Sequence, residues 1–250
     1  YEAENYIPLP IEEIYLDFQI IKPLANHLDH FDILIAALPK KTVDSYLSCL
    51  RKAGLLPEVL EIESLAIARA LVKNEISPFP VLLIDLGATR TSFIIFSGCS
   101  LRFTGSIPVS SQKFNEAISK ALNIDLKKAE KLKIKSGLIQ DKKIFEALIP
   151  ALTDLTEQIK KYLDYYEAHA SHEHLPPDGK GVKKIFLSGG GANLKGLEAF
   201  LSSELKIPVK VANPWVNILP EPLREIPQLP FEESLKYTTA LGLALRGIKN

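Results

Sequence analysis

Residues 12–20 alternate strictly, with Ile14, Leu16, Phe18 and Ile20 on one side and Tyr15, Asp17 and Gln19 on the other. A period of two predicts a strand with one buried face. Residues 31–38 are more continuously apolar and predict a second strand, stopped by Pro39. Thr42 is placed to cap a helix over 42–53, whose Val43, Tyr46, Leu47 and Leu50 share a face and whose end is marked by Gly54. A strand over 56–62 and a helix from Ser64 to Val72 complete a β-β-α-β-α unit. Residues 74–80, with two prolines, read as the linker that closes it.

The pattern then restarts. Residues 81–87, 91–96 and 101–107 predict three short strands in succession, with turns at Gly87-Ala88 and Ser97-Gly98. Helical periodicity follows over 111–122, 126–135 and 142–169. A buried strand over 182–187 runs into Ser188-Gly189-Gly190-Gly191-Ala192-Asn193, which opens a helix over 194–205, and a short strand follows at 209–211. Six of the 17 prolines fall between 208 and 230 and predict a long extended connection before a last helix over 234–248.

Composition narrows the class. The 250 residues carry 30 Lys and Arg against 30 Asp and Glu, and 46% are hydrophobic, as in a folded chain of one or two domains. Zero net charge leaves no bulk positive field for a nucleic acid or an acidic membrane. No apolar run approaches the roughly 18 residues of a membrane-spanning helix. Cys49 and Cys99 are too few for a disulfide framework and favour a reducing, cytoplasmic compartment. The chain starts at Tyr1 and holds no Met, so it reads as a fragment.

Three segments carry candidate chemistry. The glycines 189–191, between a buried strand and a helix, place bare backbone N–H groups where a phosphate or the face of a base can approach; a tight turn without a ligand is the alternative. In Asp85-Leu86-Gly87-Ala88-Thr89-Arg90-Thr91, a carboxylate at a strand end precedes a glycine hairpin with two hydroxyls. That order suits a hydrated Mg²⁺ beside phosphates, although Asp-x-Gly is also ordinary hairpin chemistry. Glu130 and Lys133, three apart on one helix, can share the hydroxyls of a ribose or form a surface ion pair among lysines 127, 128, 131 and 135. His169, His172, Glu173 and His174 invite a metal or simply end a solvated helix. No Ser-His-Asp or paired-carboxylate signature marks a hydrolase.

Taken in order, Asp-Leu-Gly-Ala-Thr-x-Thr, Ala129-Glu130-x-x-Lys133, Leu187-Ser-Gly-Gly-Gly-Ala-x-Leu-x-Gly-Leu197 and the Tyr237-Thr-Thr-Ala-Leu-Gly-Leu-Ala-Leu-Arg246 run resemble the second half of an actin-like ATPase. With Ala3-Glu-Asn-Tyr-Ile-Pro-Leu-Pro10 and Val211-Ala-Asn-Pro-Trp215, the pattern is most similar to the PilM family of type IV pilus assembly proteins, related to the division protein FtsA. The resemblance implies an α/β fold of actin-like, ribonuclease H-like type, N-terminally incomplete, with a small inserted β-β-α-β-α subdomain. It divides the chain into that subdomain with a return to the first lobe (1–78) and a second lobe (79–250) with a helical subdomain near 109–175.

It further implies ATP and Mg²⁺ as cofactors. Asp85 would sit on the Mg²⁺ side through water, and Gly87, Ala88, Thr89, Arg90 and Thr91 would form a phosphate hairpin, with Arg90 on phosphate or in solvent. Glu130 and Lys133 would hold the ribose, Gly189, Gly190, Gly191 and Asn193 the adenosine, and Gly242 a close helix crossing at a hinge. The family's Gly-x-Asp-x-Gly-Ser/Thr first phosphate loop is expected upstream of Tyr1, so hydrolysis by the chain as given is expected to be weak or absent. The implied role is a scaffold on the cytoplasmic side of an inner-membrane pilus or secretion platform. It would bind the N-terminal peptide of a PilN-like membrane protein on the first subdomain, with pilus motor ATPases as further partners and no direct membrane insertion. The competing roles are an ATP-dependent kinase or chaperone on the same fold and an FtsA-like filament.

Overall fold

Strand β3 (Ser77–Leu86) is apolar at every position from Val81 to Leu86 except Asp85, and it is buried on both faces at the centre of a five-stranded sheet. In this computed structural model, which describes residues 3–21, 32–169, 181–219 and 227–248, the sheet order is β5-β4-β3-β6-β7. Strands β4 (Thr91–Gly98) and β5 (Ser100–Ile107) extend β3 as an antiparallel meander. On its other side, β6 (Lys184–Ser188) and β7 (Val209–Val211) pair in parallel.

The period of two divides the core. Leu82, Ile84 and Leu86 join a large cluster with Phe93, Ile95, Ile185 and Leu187. That cluster is covered by α3 (Ser111–Leu122), α5 (Lys142–His169) and α6 (Leu197–Leu205), through residues such as Phe114, Leu148 and Leu201. Val81 and Leu83 face the other way and pack with Ile94 and Phe96 against Ile67, Ala70 and Leu71 of α2 (Glu63–Leu71). Full burial of each such side chain stabilises by about 1.5–3 kcal/mol, so this double-sided packing fixes β3 and whatever stands at its end. Asp85 shares the Val81 and Leu83 face, the side on which α2 begins with Glu63.

The chain divides into two compact units, 1–62 and 63–250. In the smaller one, β1 (Ile14–Ile21) and β2 (Asp32–Pro39) pair antiparallel from Ile14↔Pro39 to Ile21↔Asp32, and α1 (Lys40–Lys52) follows at once. The expected buried face of β1 is covered only at Ile14: Leu16, Phe18 and Ile20 are 45%, 64% and 55% exposed. Their register partners Ile35 and Ile33 are exposed as well. Helix α1 instead meets the face of Tyr15, whose hydroxyl donates to Asp44 at 3.0 Å and whose ring lies 5.8 Å from Lys40 Nζ.

Three other expectations are revised. Residues 56–62 form no strand: Pro57 removes a donor there, and Leu56, Val59 and Leu60 are exposed with no strand beside them. The smaller unit is therefore β-β-α, and α2 belongs to the larger one. Residues 77–80 are the start of β3 and not a linker. Pro78 and Pro80 are tolerated because they fall in a register shift between Ser77 and Val81, ahead of the pairing with β6. The last helix is in three pieces: α7 (Phe231–Ser234), a 3-10 turn over Leu235–Tyr237, and α8 (Thr238–Ile248). Helix α4 (Leu126–Ser136), capped by Asp125 accepting from the Lys128 N–H at 2.9 Å, lies where expected.

Candidate functional site

The C-terminal end of β3 and the start of α2 open on a cavity of about 520 Å³. Asp85, Gly87, Ala88, Glu130, Lys133, Gly189, Gly190, Gly191 and Asn193 all line it, so segments far apart in the chain meet in one place. The sheet explains the first meeting. Parallel pairing sets Asp85 beside Ser188 of β6, and the glycine turn leaves from the residue after that serine.

Two of the three glycines are required by close approach. Gly189 has φ +78°, and a Cβ on it would lie 2.6 Å from the Leu86 carbonyl oxygen and 2.9 Å from Asp85 Oδ1. A Cβ on Gly191 would run into the Leu86 side chain, whereas one on Gly190 would only touch Lys236 Cγ at 3.4 Å. The turn does not open an α-helix directly. Gly190–Asn193 is a 3-10 turn, and α6 starts at Leu197 after Gly196, whose φ is +87°. Asn193 helps fix the turn, its Nδ2 donating to the Glu232 carbonyl at 2.7 Å.

Asp85 is mostly withdrawn from water. Burial and then the nearby Glu63 charge push its carboxyl up to about 6, with the adjacent Ser188 side chain acting in the opposite direction. Ser188 Oγ is itself 2.8 Å from Thr238 Oγ1, and Thr238 donates to the Leu235 carbonyl at 3.0 Å. The start of α8 is thereby tied to the strand that carries the turn.

Lys133 is 7% exposed, which overturns the surface ion-pair alternative. Its ammonium donates to Ser111 Oγ at 2.7 Å and to the Ser111 carbonyl at 3.1 Å, fastening α4 to the start of α3 and leaving one of its three donors for a ligand. Burial lowers its pKa, and the Glu130 charge works in the opposite direction.

The hairpin divides. Gly87 N–H donates to the Arg90 carbonyl, and the Gly87 and Ala88 carbonyls accept from Ser111 and Gln112, so the turn is bonded to the first turn of α3. Thr89 and Arg90 are exposed on its tip and do not line the cavity. The Thr91 hydroxyl is buried and donates to the Val109 carbonyl at 2.7 Å, a bond internal to the fold.

Sequence reasoning missed Glu63, Ser111, Lys236, Thr238 and Thr239 in the lining. Glu63 was legible as a carboxylate opening a helix, but only the fold brings it to Asp85. Thr238 and Thr239 stand in the Tyr-Thr-Thr motif, where Gly242 alone carries a specific expectation.

Two carboxylates facing one space, Asp85 and Glu63, form a donor set that suits a divalent cation with hard oxygen preference. Mg²⁺ sites commonly use one or two carboxylates with water and phosphate. Among the described residues no group of three or more His, Cys, Asp or Glu converges on a metal. His169 stacks on Tyr165 at 4.2 Å, with its Nδ1 2.9 Å from the Tyr165 carbonyl. His172, Glu173 and His174 lie outside the described residues. Cys49 is exposed, Cys99 is half-buried, and both are free thiols. Among the described residues no helix is long and apolar enough to cross a membrane.

A central sheet with a glycine turn, a strand-end carboxylate and two helices crossing beside it defines an actin-like fold. The structure of MreB5 of Spiroplasma citri bound to AMPPNP overlays with a TM-score of 0.62 at 19% identity, covering 85% of this chain and 66% of that one. The chain belongs to the family described as type IV pilus assembly protein PilM, whose model matches residues 1–248. The structure of a PilM–PilN type IV pilus biogenesis complex matches with a TM-score of 0.76 and 30% identity over 100% of this chain and 70% of that one. Among curated proteins, cell division protein FtsA of Pseudomonas aeruginosa is 23% identical over 221 residues, which is 80% of this chain and 50% of the relative. The chain spans about half the length of the curated relatives it matches over most of its own.

Proposed function

We propose that the chain is a nucleotide-binding scaffold of a type IV pilus or related secretion platform. The observation that carries the nucleotide part is the convergence of Asp85, Glu63, the Gly189–Gly191 turn and the Glu130/Lys133 pair on one cavity. In this reading Lys133 and Glu130 take the ribose hydroxyls. The backbone of the glycine turn lies along the nucleoside, and Asp85 with Glu63 holds a hydrated Mg²⁺. The metal would neutralise phosphate charge when bound. Gly87 and Ala88 line the phosphate side, while Thr89 and Arg90 contribute only if the hairpin tip closes on the ligand.

The match to a PilM–PilN complex supports a PilN-like partner for this chain as well. We assign the partner's N-terminal peptide to the subdomain within residues 1–78, and the nucleotide to the lobe of residues 79–250 together with Glu63 at the start of α2, with the helical part of that lobe near 109–175. In this reading the protein works on the cytoplasmic side of an inner membrane, held there by a protein partner, with pilus motor ATPases as further partners.

The test is a titration of a fluorescent ATP analogue into the full chain with and without Mg²⁺. Saturable binding that Mg²⁺ strengthens and that Asp85→Ala weakens is expected; no binding at hundreds of micromolar (about the weak end of cellular nucleotide sites) overturns the nucleotide part. A synthetic PilN-type N-terminal peptide, followed by anisotropy against the full chain, tests the partner separately.

A further inference from the structure

The loop after β7 contains turn formers, Asn213-Pro214, and ends in Asn217-Ile218-Leu219. It leaves the sheet at Ala212, whose N–H donates to the Leu187 carbonyl at 2.8 Å, one residue before Ser188. Its turn is closed by Ile218 and Leu219 N–H groups donating to the Trp215 carbonyl at 2.9 Å.

Asn217 then reaches the far end of α2. Its Nδ2 donates to the carbonyls of Arg69 at 2.8 Å and Val72 at 2.7 Å, and its Oδ1 accepts from the Asn74 N–H at 2.8 Å. The last carbonyls of a helix have no partner within it, and here one side-chain amide satisfies that of Arg69 together with the Val72 carbonyl and the Asn74 N–H just past the helix end. The backbone turns sharply at that point: Asn74 and Glu75 have φ of +54° and +56°.

The middle of α2 is held differently. Gly242 of α8 lies so close to Ala66 that a Cβ would run into the Ala66 carbonyl oxygen, and Arg69 Nη1 donates to the Gly242 carbonyl at 3.1 Å. Backbone contact of this kind stops a helix from moving sideways, and the Arg69–Gly242 bond opposes sliding along its axis. Asn217 grips the end and opposes that slide as well. At a rise of about 1.5 Å per residue, Glu63 is roughly 9 Å up the same rigid rod from Arg69, at the cavity.

We propose that Asn217 is a positioning residue for the cavity: by fixing α2 along its axis it sets where the Glu63 carboxylate stands relative to Asp85, and so how well the pair holds a divalent cation. The loop of residues 213–219, tied at one end to β6 and at the other to α2, closes a ring of bonded elements around the site. The inference deepens the nucleotide reading and rests on it for its ligand.

The test compares the full chain with Asn217→Ala and with Asn217→Asp, which keeps the acceptor for Asn74 but loses both donated bonds. The fluorescent ATP analogue is titrated into each with Mg²⁺ and with EDTA. The gain in affinity from Mg²⁺ is expected to fall about 5- to 20-fold in both variants, as the loss of one to two hydrogen bonds allows, with affinity in EDTA unchanged within about twofold. A Mg²⁺ gain equal to that of the native chain in both variants would mean that Asn217 only caps a helix, and would overturn the proposal. A second reading needs no ligand: the ¹³C shift of the Glu63 carboxyl, measured with none present, is expected to move in whichever variant folds. An unmoved shift also overturns the proposal. If the native chain shows no Mg²⁺-dependent binding, the nucleotide reading fails on its own, and the Glu63 shift still decides whether Asn217 positions that carboxylate.

Discussion

Gly242 and Ala66 touch backbone to backbone: the space where a side chain would begin on Gly242 is filled by the carbonyl of Ala66. This contact locks α8 onto α2, and both helices start at the cavity, one at Thr238 and the other at Glu63. Two lining groups from distant parts of the chain therefore share one mechanical reference.

Gly242→Ala tests that reference. Alanine is the better helix former by about 1 kcal/mol, but here its methyl must displace a backbone carbonyl. Overpacking of this kind costs about 1–3 kcal/mol, and more when the obstacle cannot rotate away. The clash should win. Denaturation of the variant is expected to show a melting temperature lower by about 2–8 °C, since each kcal/mol is worth about 2–4 °C in a chain of this size. An unchanged or raised value would show that the helices part easily.

The glycine turn makes a paired prediction. Gly191→Ala drives its methyl into Leu86, a fully buried side chain of the central strand, whereas Gly190→Ala meets only the flexible Lys236 stem. The first should destabilise by about 2–4 kcal/mol, in the range of severe core overpacking, and the second by less than about 1 kcal/mol. Urea titration of both variants separates them. If Gly190→Ala nevertheless weakens nucleotide binding, that glycine serves ligand access and not the fold.

Asp85 gives the protein a pH signature. Its carboxyl is raised in the folded state to about 6, above the ordinary value of 3.8, chiefly by burial and then by Glu63. The folded state thus binds the proton more tightly than the unfolded one. The resulting stabilisation is complete below pH 3.8 and is lost as pH rises through about 6. Removing the charge should therefore stabilise the ligand-free protein at neutral pH. Asp85→Asn is expected to gain about 1–3 kcal/mol at pH 7.5 and much less at pH 4.5, by urea titration at each pH. A gain that is equal at the two pH values would locate the effect elsewhere.

Much of the larger unit was legible in the sequence. The reason is that β3, β4 and β6 are buried on both faces, so local pattern and tertiary demand agree. The bounds of α3 at Ser111–Leu122 and of α5 at Lys142–His169 followed from periodicity alone. The smaller unit was less legible because period two identifies a strand and its two faces without saying which face is covered. Leu16, Phe18 and Ile20 form the apolar face, yet α1 lies against Tyr15. The site was legible where chemistry and motif coincide, as at Asp85 and Gly189. It was obscure where a residue acts through three-dimensional placement: Glu63 joins Asp85 only because α2 packs on the odd-numbered face of β3. Thr91 shows the reverse case, a hydroxyl in a phosphate-loop motif whose bond goes to Val109.

Lys133 stands apart as a buried cation among the solvated lysines around it. Lys131, two residues earlier, is exposed, whereas Lys133 is buried, lines the cavity and spends two donors on Ser111. Replacing it with Met keeps the volume of the stem and deletes the charge, leaving the Ser111 carbonyl and hydroxyl short of a donor, at a cost of about 1–3 kcal/mol. If its third donor also meets a ligand hydroxyl, nucleotide affinity should fall by about tenfold in Lys133→Met and remain unchanged in Lys131→Met. Titration of the fluorescent ATP analogue into both variants, each first checked by circular dichroism, reads this contrast. Equal affinity in the two would confine Lys133 to joining α4 with α3, and the ribose contact would then fall to Glu130 alone.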